Sequence, residues 1–144
     1  MKGKKVDILV PSAHILEGTS DNYPFHNDLS PEDFINTKIP TLEGTMNTAL
    51  STSLQNKDIL MYFCRSSWKV IGIEMEGARY QKATQSAMHI RQTVQPDVKL
   101  RYANYASDNP LETGGILASG SLGQAGVVPT YKITQKIIEK ISTE

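Results

Sequence analysis

Two apolar segments that each end at a carboxylate constrain the fold of this chain more than any other feature. The first, residues 70–74, ends in the run Glu74-Met75-Glu76. The second, residues 98–106, is followed by Ser107 and Asp108. A helix-like segment separates them, and alternation of strands and helices is typical of an α/β chain with a largely parallel or mixed sheet flanked by helices. Such sheets bind ligands beyond the carboxyl ends of their strands, so these acids are candidate site residues.

The remaining pattern divides the chain into short elements. Apolar runs predict strands at 6–12, where Pro11 is expected to end the strand, and at 45–52. Ser30-Pro31-Glu32-Asp33 has the serine, proline and acids of a helix start and predicts a short helix. Asn56 is the predicted cap of a helix over 57–66. The last helix is predicted over 130–142, and residues 109–126, with five glycines, are predicted to be a mobile segment that closes over the site.

Apolar spacing predicts which helix faces are buried. The helix that follows the acidic motif and ends before Pro96 has a stripe at three- and four-residue steps. Three sets of residues are predicted to be buried: Tyr80, Ala83, Ala87, Ile90 and Val94 in that helix; Ile59, Leu60 and Phe63 in the helix before it; and Ile133, Ile137, Ile138 and Ile141 in the last helix.

Composition excludes several classes of protein. The 144 residues fit a single domain spanning 1–144, and 39% hydrophobic with 21% charged residues is ordinary for a soluble protein. Fifteen basic and fifteen acidic residues cancel, so we expect neither nucleic acid nor a membrane surface as a partner. A lone Cys64 excludes an internal disulfide framework, and His14, His26 and His89 are too dispersed to indicate a metal site. We expect a cytoplasmic protein without a cofactor.

Three motifs resemble the nucleoside phosphorylase/nucleosidase superfamily, which cleaves N-ribosidic bonds. Residues 74–78, Glu-Met-Glu-Gly-Ala, match the family's Glu-Met-Glu-(Gly/Ala)-Ala segment, and Ser107-Asp108 matches its Ser-Asp pair. Residues 7–13 resemble a strand of the family, and residues 17–23 resemble the family's Glu-Gly-Thr-Ser-x-x-Tyr loop. The loop sequence is most similar to those of uridine phosphorylases and bacterial AMP nucleosidases. The motifs follow the family's order and span nearly the whole chain.

The resemblance implies roles for particular residues. Met75 and Glu76, with Glu74 beside them, are expected to hold the ribose of a nucleoside or nucleotide. Asp108 is expected to be the catalytic acid that protonates, or hydrogen-bonds to, N7 of a departing purine, with Ser107 orienting it. The base pocket is expected near Leu54, Gln55 and Ser107. The attacking group implied is either water, as in a nucleosidase, or phosphate, as in a phosphorylase.

The resemblance also implies what lies outside these residues. It covers the C-terminal half of the family's domain, since the family's phosphate-binding or water-activating residues normally precede the strand that resembles 6–11. Strand edges left open by a half-domain predict a homo-oligomer. A non-catalytic ligand-sensing or assembly domain of the same fold is the alternative to an enzyme.

The same residues have plainer explanations. Glu74 and Glu76 fit acids at a helix start, where the helix dipole favours negative charge. Asp108 precedes Asn109-Pro110 and fits a turn aspartate. Local pattern alone leaves both explanations open.

Overall fold

The computed structural model describes residues 6–50, 56–109, 111 and 123–144. These residues form a mixed α/β fold with one mostly parallel sheet. The strands are β1 (Ile8–Leu16), β2 (Asn22–Pro24), β3 (Thr41–Thr48), β4 (Gly72–Glu74) and β5 (Asn104–Tyr105). The α-helices are α1 (Lys57–Arg65), α2 (Gly77–Gln85) and α3 (Val127–Ser142), with 3-10 helices at Pro31–Thr37 and Gly123–Gly126 and a π-helical turn at Ser86–Ile90.

The sheet has the order β2-β1-β3-β4. β1 and β3 pair in parallel along their whole length, from Ile8 opposite Thr41 to Leu16 opposite Thr48, and β3 pairs in parallel with β4. β2 and β5 pair antiparallel with the two ends of β1. The carboxyl ends of β1, β3 and β4 therefore lie at one edge of the sheet, as the sequence predicts for an α/β chain.

β1 continues through Pro11, so the predicted end at that residue is wrong. A register shift between Pro11 and Ala13 marks a bulge, which accommodates a residue that has no N–H to give to the ladder. β3 also begins earlier than predicted, at Thr41 rather than Thr45. Residues 51–52 of the predicted strand lie outside the described residues.

The predicted strand over 98–106 is reduced to β5, which is antiparallel to β1 rather than parallel to it. The Asn27 side chain takes the hydrogen bonds that a longer strand would have made. Its Nδ2 donates to the carbonyls of Pro11 (2.9 Å) and Tyr102 (2.7 Å), and its Oδ1 accepts from the Tyr102 N–H (3.1 Å). One side chain thus fixes Tyr102 beside β1 in place of a ladder.

The starts of α1 and of the first 3-10 helix follow the sequence, whereas α3 begins at Val127, three residues before the predicted start. The Asn56 side chain accepts hydrogen bonds from the N–H groups of Asp58 and Ile59, which confirms the predicted cap of α1. The Ser30 N–H donates to the Asp33 carboxylate at 2.9 Å at the start of the first 3-10 helix, which confirms a short helix there.

The predicted buried face of α2 is wrong. Gly77, Ala78 and Gln81 face the sheet, whereas Tyr80 is 50% exposed and Ile90 is 80% exposed. Contacts at the first turn of α2 set the rotation of the helix, and periodicity carries no information about them. The helix is also shorter than the stripe suggests, because α2 ends at Gln85 and the following residues form the π-helical turn.

The core lies on both faces of the sheet. Ile8, Val10, Leu29, Phe34 and Ile133 form one cluster, and Leu9, Met46 and Ile71 form another. In α3 Ile133 is buried as predicted and Ile137 packs on the core, but Ile138 and Ile141 are exposed, contrary to prediction. In α1 only Leu60 is buried; Ile59 is exposed and Phe63 half-buried. Within the described residues, none of the helices has the length and apolar character needed to cross a membrane.

Candidate functional site

The two segments that end at carboxylates meet at one groove. β4 supplies Gly72, Ile73 and Glu74, and the segment from Asn104 to Asp108 forms the other side, over a floor of Leu9, Met46 and Ile71. The groove has a volume of about 210 Å³. The sequence predicted that these acids belong to one site, and the structure brings both segments together.

Gly72 is required for the floor of the groove. A Cβ at this position would lie 2.7 Å from Leu9 Cδ1 and 2.8 Å from the Met46 methyl carbon. Both neighbours are buried and have little freedom to move. The glycine therefore lets β4 approach the apolar floor closely.

Glu74 is engaged by the protein itself. Its Oε1 accepts a hydrogen bond from the Thr48 hydroxyl, and its Oε2 accepts from the backbone N–H groups of Glu76 (2.7 Å) and Gly77. Thr48 Oγ1 in turn accepts from the Ala78 N–H at 2.8 Å. Glu74 and Thr48 together cap the start of α2, where free N–H groups and the helix dipole favour a carboxylate.

The environment of Glu74 stabilises its charged form. Burial on its own raises the pKa of this carboxyl group, but the contacts with His14, Thr48 and the N–H groups of Gly77 and Glu76 outweigh burial, so the pKa of Glu74 lies below its usual value. Glu74 is therefore a charged cap, and the helix-start explanation fits its geometry better than a contact with ribose.

His14 lies behind this cap and is fully buried. Its Nδ1 is 3.4 Å from Glu74 Oε1, and neither ring nitrogen makes a hydrogen bond of normal geometry with the described residues. Phe25 stacks on the imidazole with ring centroids 5.8 Å apart, and Tyr102 meets it edge-on at 5.2 Å. The aromatic rings thus shield the contact between His14 and Glu74 from water.

Met75 and Glu76 project outward at the start of α2, and both are exposed. Glu76 occupies the cap position of the helix without a side-chain cap hydrogen bond. The pKa of the nearby Tyr102 is raised above its usual value, mainly by burial. The negative charge of Glu74 and then that of Glu76 raise it further. Glu76 is the glutamate without a role as a cap, but neither Glu76 nor Met75 is among the residues that line the groove.

Ser107 and Asp108 lie on the opposite wall of the groove. The Ser107 hydroxyl is 3.3 Å from Asp108 Oδ2. Asp108 is half-buried and Ser107 is exposed. Leu54 and Gln55, the predicted base contacts, lie outside the described residues, as does most of the glycine-rich segment predicted to cover the site.

Several residues of the site were not predicted from the sequence. Thr48, His14 and Asn27 hold the groove in place through contacts with residues distant in the chain. Asn104 lines the groove, and its buried Nδ2 makes no hydrogen bond of normal geometry with the described residues. For Asn104 the sequence did contain a signal. Leu100, Tyr102 and Asn104 alternate with other residues, and this alternation places Tyr102 and Asn104 on one face of an extended segment.

These features define the class of protein: a mixed α/β domain with an acid-lined groove beside the carboxyl end of a parallel strand. Residues 1–143 match the model of DUF6909, described as a family of unknown function, and the chain belongs to that family. No curated protein and no solved structure gives a significant match to the chain.

Proposed function

We propose that the chain binds a nucleoside or nucleotide at this groove and takes part in cleaving its N-ribosidic bond. The observation that carries the proposal is that Glu74, the first residue of the Glu-Met-Glu motif, lines the same groove as Ser107 and Asp108, some thirty residues further along the chain. These two motifs are among the three that resemble nucleoside phosphorylases and nucleosidases. If the two motifs had folded into separate regions of the molecule, the proposal would have lost this support.

The ribose is assigned to the start of α2. The Glu76 carboxylate can accept hydrogen bonds from two hydroxyl groups, as a ribose 2′,3′-diol requires. Met75 offers an exposed thioether for apolar contact with the sugar. Glu74 holds this turn in position through the N–H groups of Glu76 and Gly77 rather than touching the sugar.

The base is assigned to the opposite wall, where Asp108 assists its departure. Breaking the ribosidic bond leaves electron density on the base, and a positioned acid that donates a proton typically accelerates such a step by about 10²–10⁴-fold. Ser107 Oγ lies within reach of the Asp108 carboxyl and would fix its direction. The apolar floor of Leu9, Met46 and Ile71 suits the flat face of a heterocycle.

The attacking group in this proposal is either water, as in a nucleosidase, or phosphate, as in a nucleoside phosphorylase. The resemblance places the residues that choose between the two outside the motifs that line the groove. Measuring ribose release with and without phosphate therefore decides between these activities.

A second candidate function, a ligand-sensing domain without catalysis, is supported by the size of the groove. Its volume of about 210 Å³ is below the ~300–1,000 Å³ typical of small-molecule pockets, so the described residues enclose only part of a nucleoside. The use of Glu74 as a helix cap also leaves one acid fewer for chemistry.

The two functions are separated by measuring ribose release and binding in parallel. AMP, adenosine, inosine and uridine are each incubated with the chain, with and without phosphate, and binding of the same compounds is measured by calorimetry. Asp108→Asn is the test variant, and Asp97→Asn, an exposed aspartate outside the groove, is the matched control. Release that is lost only in Asp108→Asn supports the enzyme. Binding without release supports the sensing domain. If neither binding nor release is detected in any condition, both functions are contradicted.

A further inference from the structure

Asn104 is a polar side chain placed beside the apolar floor of the groove. It pairs with Leu9 in the antiparallel ladder between β1 and β5, and Leu9 belongs to that floor. Residues directly opposite each other in such a ladder project to the same face of the sheet, so the Asn104 side chain projects toward the groove. Tyr105, the next residue, pairs with Ile8 and projects to the opposite face, where Ile8 is part of the core.

Neither the strand nor the packing favours an asparagine at this position. Asparagine is depleted in strands, and an amide brought next to apolar side chains costs free energy unless its polar atoms are hydrogen-bonded. The buried Nδ2 of Asn104 has no hydrogen bond of normal geometry with the described residues. An aliphatic residue would pack against Leu9 without this cost, so the amide indicates a use other than packing.

The effect of Asn104 on Tyr102 shows which way the amide points. Burial is the largest cause that raises the pKa of Tyr102, and the charge of Glu74 raises it further, whereas the contact with the Asn104 side chain lowers it. A contact that lowers the pKa of a phenol stabilises the phenolate, so the atom beside the Tyr102 hydroxyl is the donor, Nδ2. The two polar atoms of an amide point in different directions, so Oδ1 is directed to the groove.

This oxygen is held in place from two sides. The β5 ladder fixes the backbone of Asn104 against Leu9. Asn27 binds both the N–H and the carbonyl of Tyr102, and the ring of Tyr102 meets His14 edge-on at 5.2 Å. An acceptor that is fixed before the ligand arrives loses little conformational entropy on binding, which favours affinity and specificity.

We infer that Asn104 is a specificity-determining residue whose Oδ1 accepts a hydrogen bond from the amino group of a heterocyclic base lying on the apolar floor. Adenine carries an amino donor where guanine carries an oxygen acceptor, and an acceptor facing Oδ1 could make no hydrogen bond. The groove therefore takes amino-bearing bases in preference to those with an oxygen at that position. This inference deepens the proposed function and rests on it, because it takes the ligand of the groove to be a nucleobase.

The test compares two bases of the same size by calorimetry. Adenine has the amino donor, and 6-methylpurine has a methyl group in its place. The native chain should bind adenine about five- to tenfold more tightly, as expected for one hydrogen bond. Asn104→Leu should bind the two bases equally. Asn36→Leu alters an exposed asparagine of the first 3-10 helix, so it is the matched control and should keep the preference.

The direction of the amide is tested without any ligand. The side-chain amide protons of Asn104, assigned by their loss from the NMR spectrum of Asn104→Leu, should exchange with water more slowly than those of the exposed Asn36, because Nδ2 of Asn104 is buried. Equally fast exchange would place the nitrogen in the groove and overturn the inference.

The outcomes separate this inference from the proposed function. Equal binding of adenine and 6-methylpurine by the native chain overturns the inference, as does a preference that survives in Asn104→Leu. If adenosine is still bound and cleaved in either case, the proposed function stands. A preference for adenine that is lost in Asn104→Leu supports the inference, even where no ribose is released and cleavage is contradicted. If neither bases nor nucleosides bind, both are overturned.

Discussion

The imidazole of His14 fills the space that any side chain at position 77 would require. A Cβ built on Gly77 would lie 2.2 Å from both Cε1 and Nδ1 of His14, and 2.9 Å from Glu74 Oε1. His14 is fully buried between Phe25 and Tyr102 and cannot easily move aside. The start of α2, and with it the orientation of Glu76, therefore depends on a glycine packed against a histidine 63 residues away in sequence.

Gly77→Ala should destabilise the fold through this steric conflict. Forcing a methyl group into a packed site typically costs about 1–3 kcal/mol, and the contact here is shorter than ordinary packing allows. Urea denaturation measures the loss. Arg79→Ala is the control, because Arg79 lies on the exposed side of the same helix turn and its truncation should change stability little.

The origin of that loss is checked with His14→Ala. If the clash with the imidazole is the cause, the double variant His14→Ala/Gly77→Ala should be more stable than the sum of the two single effects predicts. Simple additivity of the two losses would mean that the cost arises from the backbone at position 77 and not from His14.

Glu74→Gln should lower the free energy of unfolding by about 1.5–3 kcal/mol, the range for a hydrogen bond to a charged group. The amide cannot accept from the Thr48 hydroxyl and from both N–H groups at the start of α2 as the carboxylate does. Glu76→Gln is the matched control, because that exposed side chain makes no cap bond. Equal effects of the two substitutions would contradict the assignment of Glu74 as the cap.

Stability should fall in acid because the folded-state pKa of Glu74 is lowered. A group whose pKa is lower in the folded state than in the unfolded state stabilises the fold fully above the unfolded pKa, about 4.3 for glutamate. The contribution is lost as the pH falls from there through the folded-state value. Melting temperatures between about pH 7 and pH 3 should show a steeper decline for the native chain than for Glu74→Gln. Parallel curves would exclude Glu74 as a source of the acid sensitivity.

Glu76→Ala should weaken nucleoside binding by about 1.5–3 kcal/mol while leaving stability almost unchanged. The residue is exposed at the start of α2, and the proposed function assigns its carboxylate to the ribose hydroxyls. Calorimetry with the nucleoside and with its free base separates the effects, since the base lacks the sugar. Undiminished affinity for the nucleoside would remove Glu76 from the proposed site.

Asp108→Asn should reduce turnover by roughly two to four orders of magnitude with little change in substrate binding, because the amide keeps the size of the side chain and loses the transferable proton. Substrates whose leaving groups need no protonation should be affected far less. Rates for an activated and a natural nucleoside are therefore compared in the same variant. Equal losses for both would indicate that Asp108 only shapes the chain between Ser107 and Asn109.

Local chemistry in the sequence determined two of the helix starts and the order of the elements. Asn56 caps α1 and Ser30 precedes a short helix because these bonds join residues two or three positions apart, so the pattern contains both partners. The segments at 70–74 and 98–108 were also predicted to share a site, since carboxyl ends of strands converge in α/β sheets. Both segments line the groove, but β5 runs antiparallel to β1, so its carboxyl end lies beside the start of β1 and the predicted reason is wrong.

Tertiary structure alone decided how α2 is rotated and where the segment before Asp108 lies. The rotation of α2 follows from Thr48 and Glu74 binding its first N–H groups, and the placement of Tyr102 follows from the side chain of Asn27. These contacts join residues that are far apart in the chain, or residues of a turn that has no apolar periodicity. Periodicity measures only which residues share a face of a helix, and the direction in which that face points is set by such contacts.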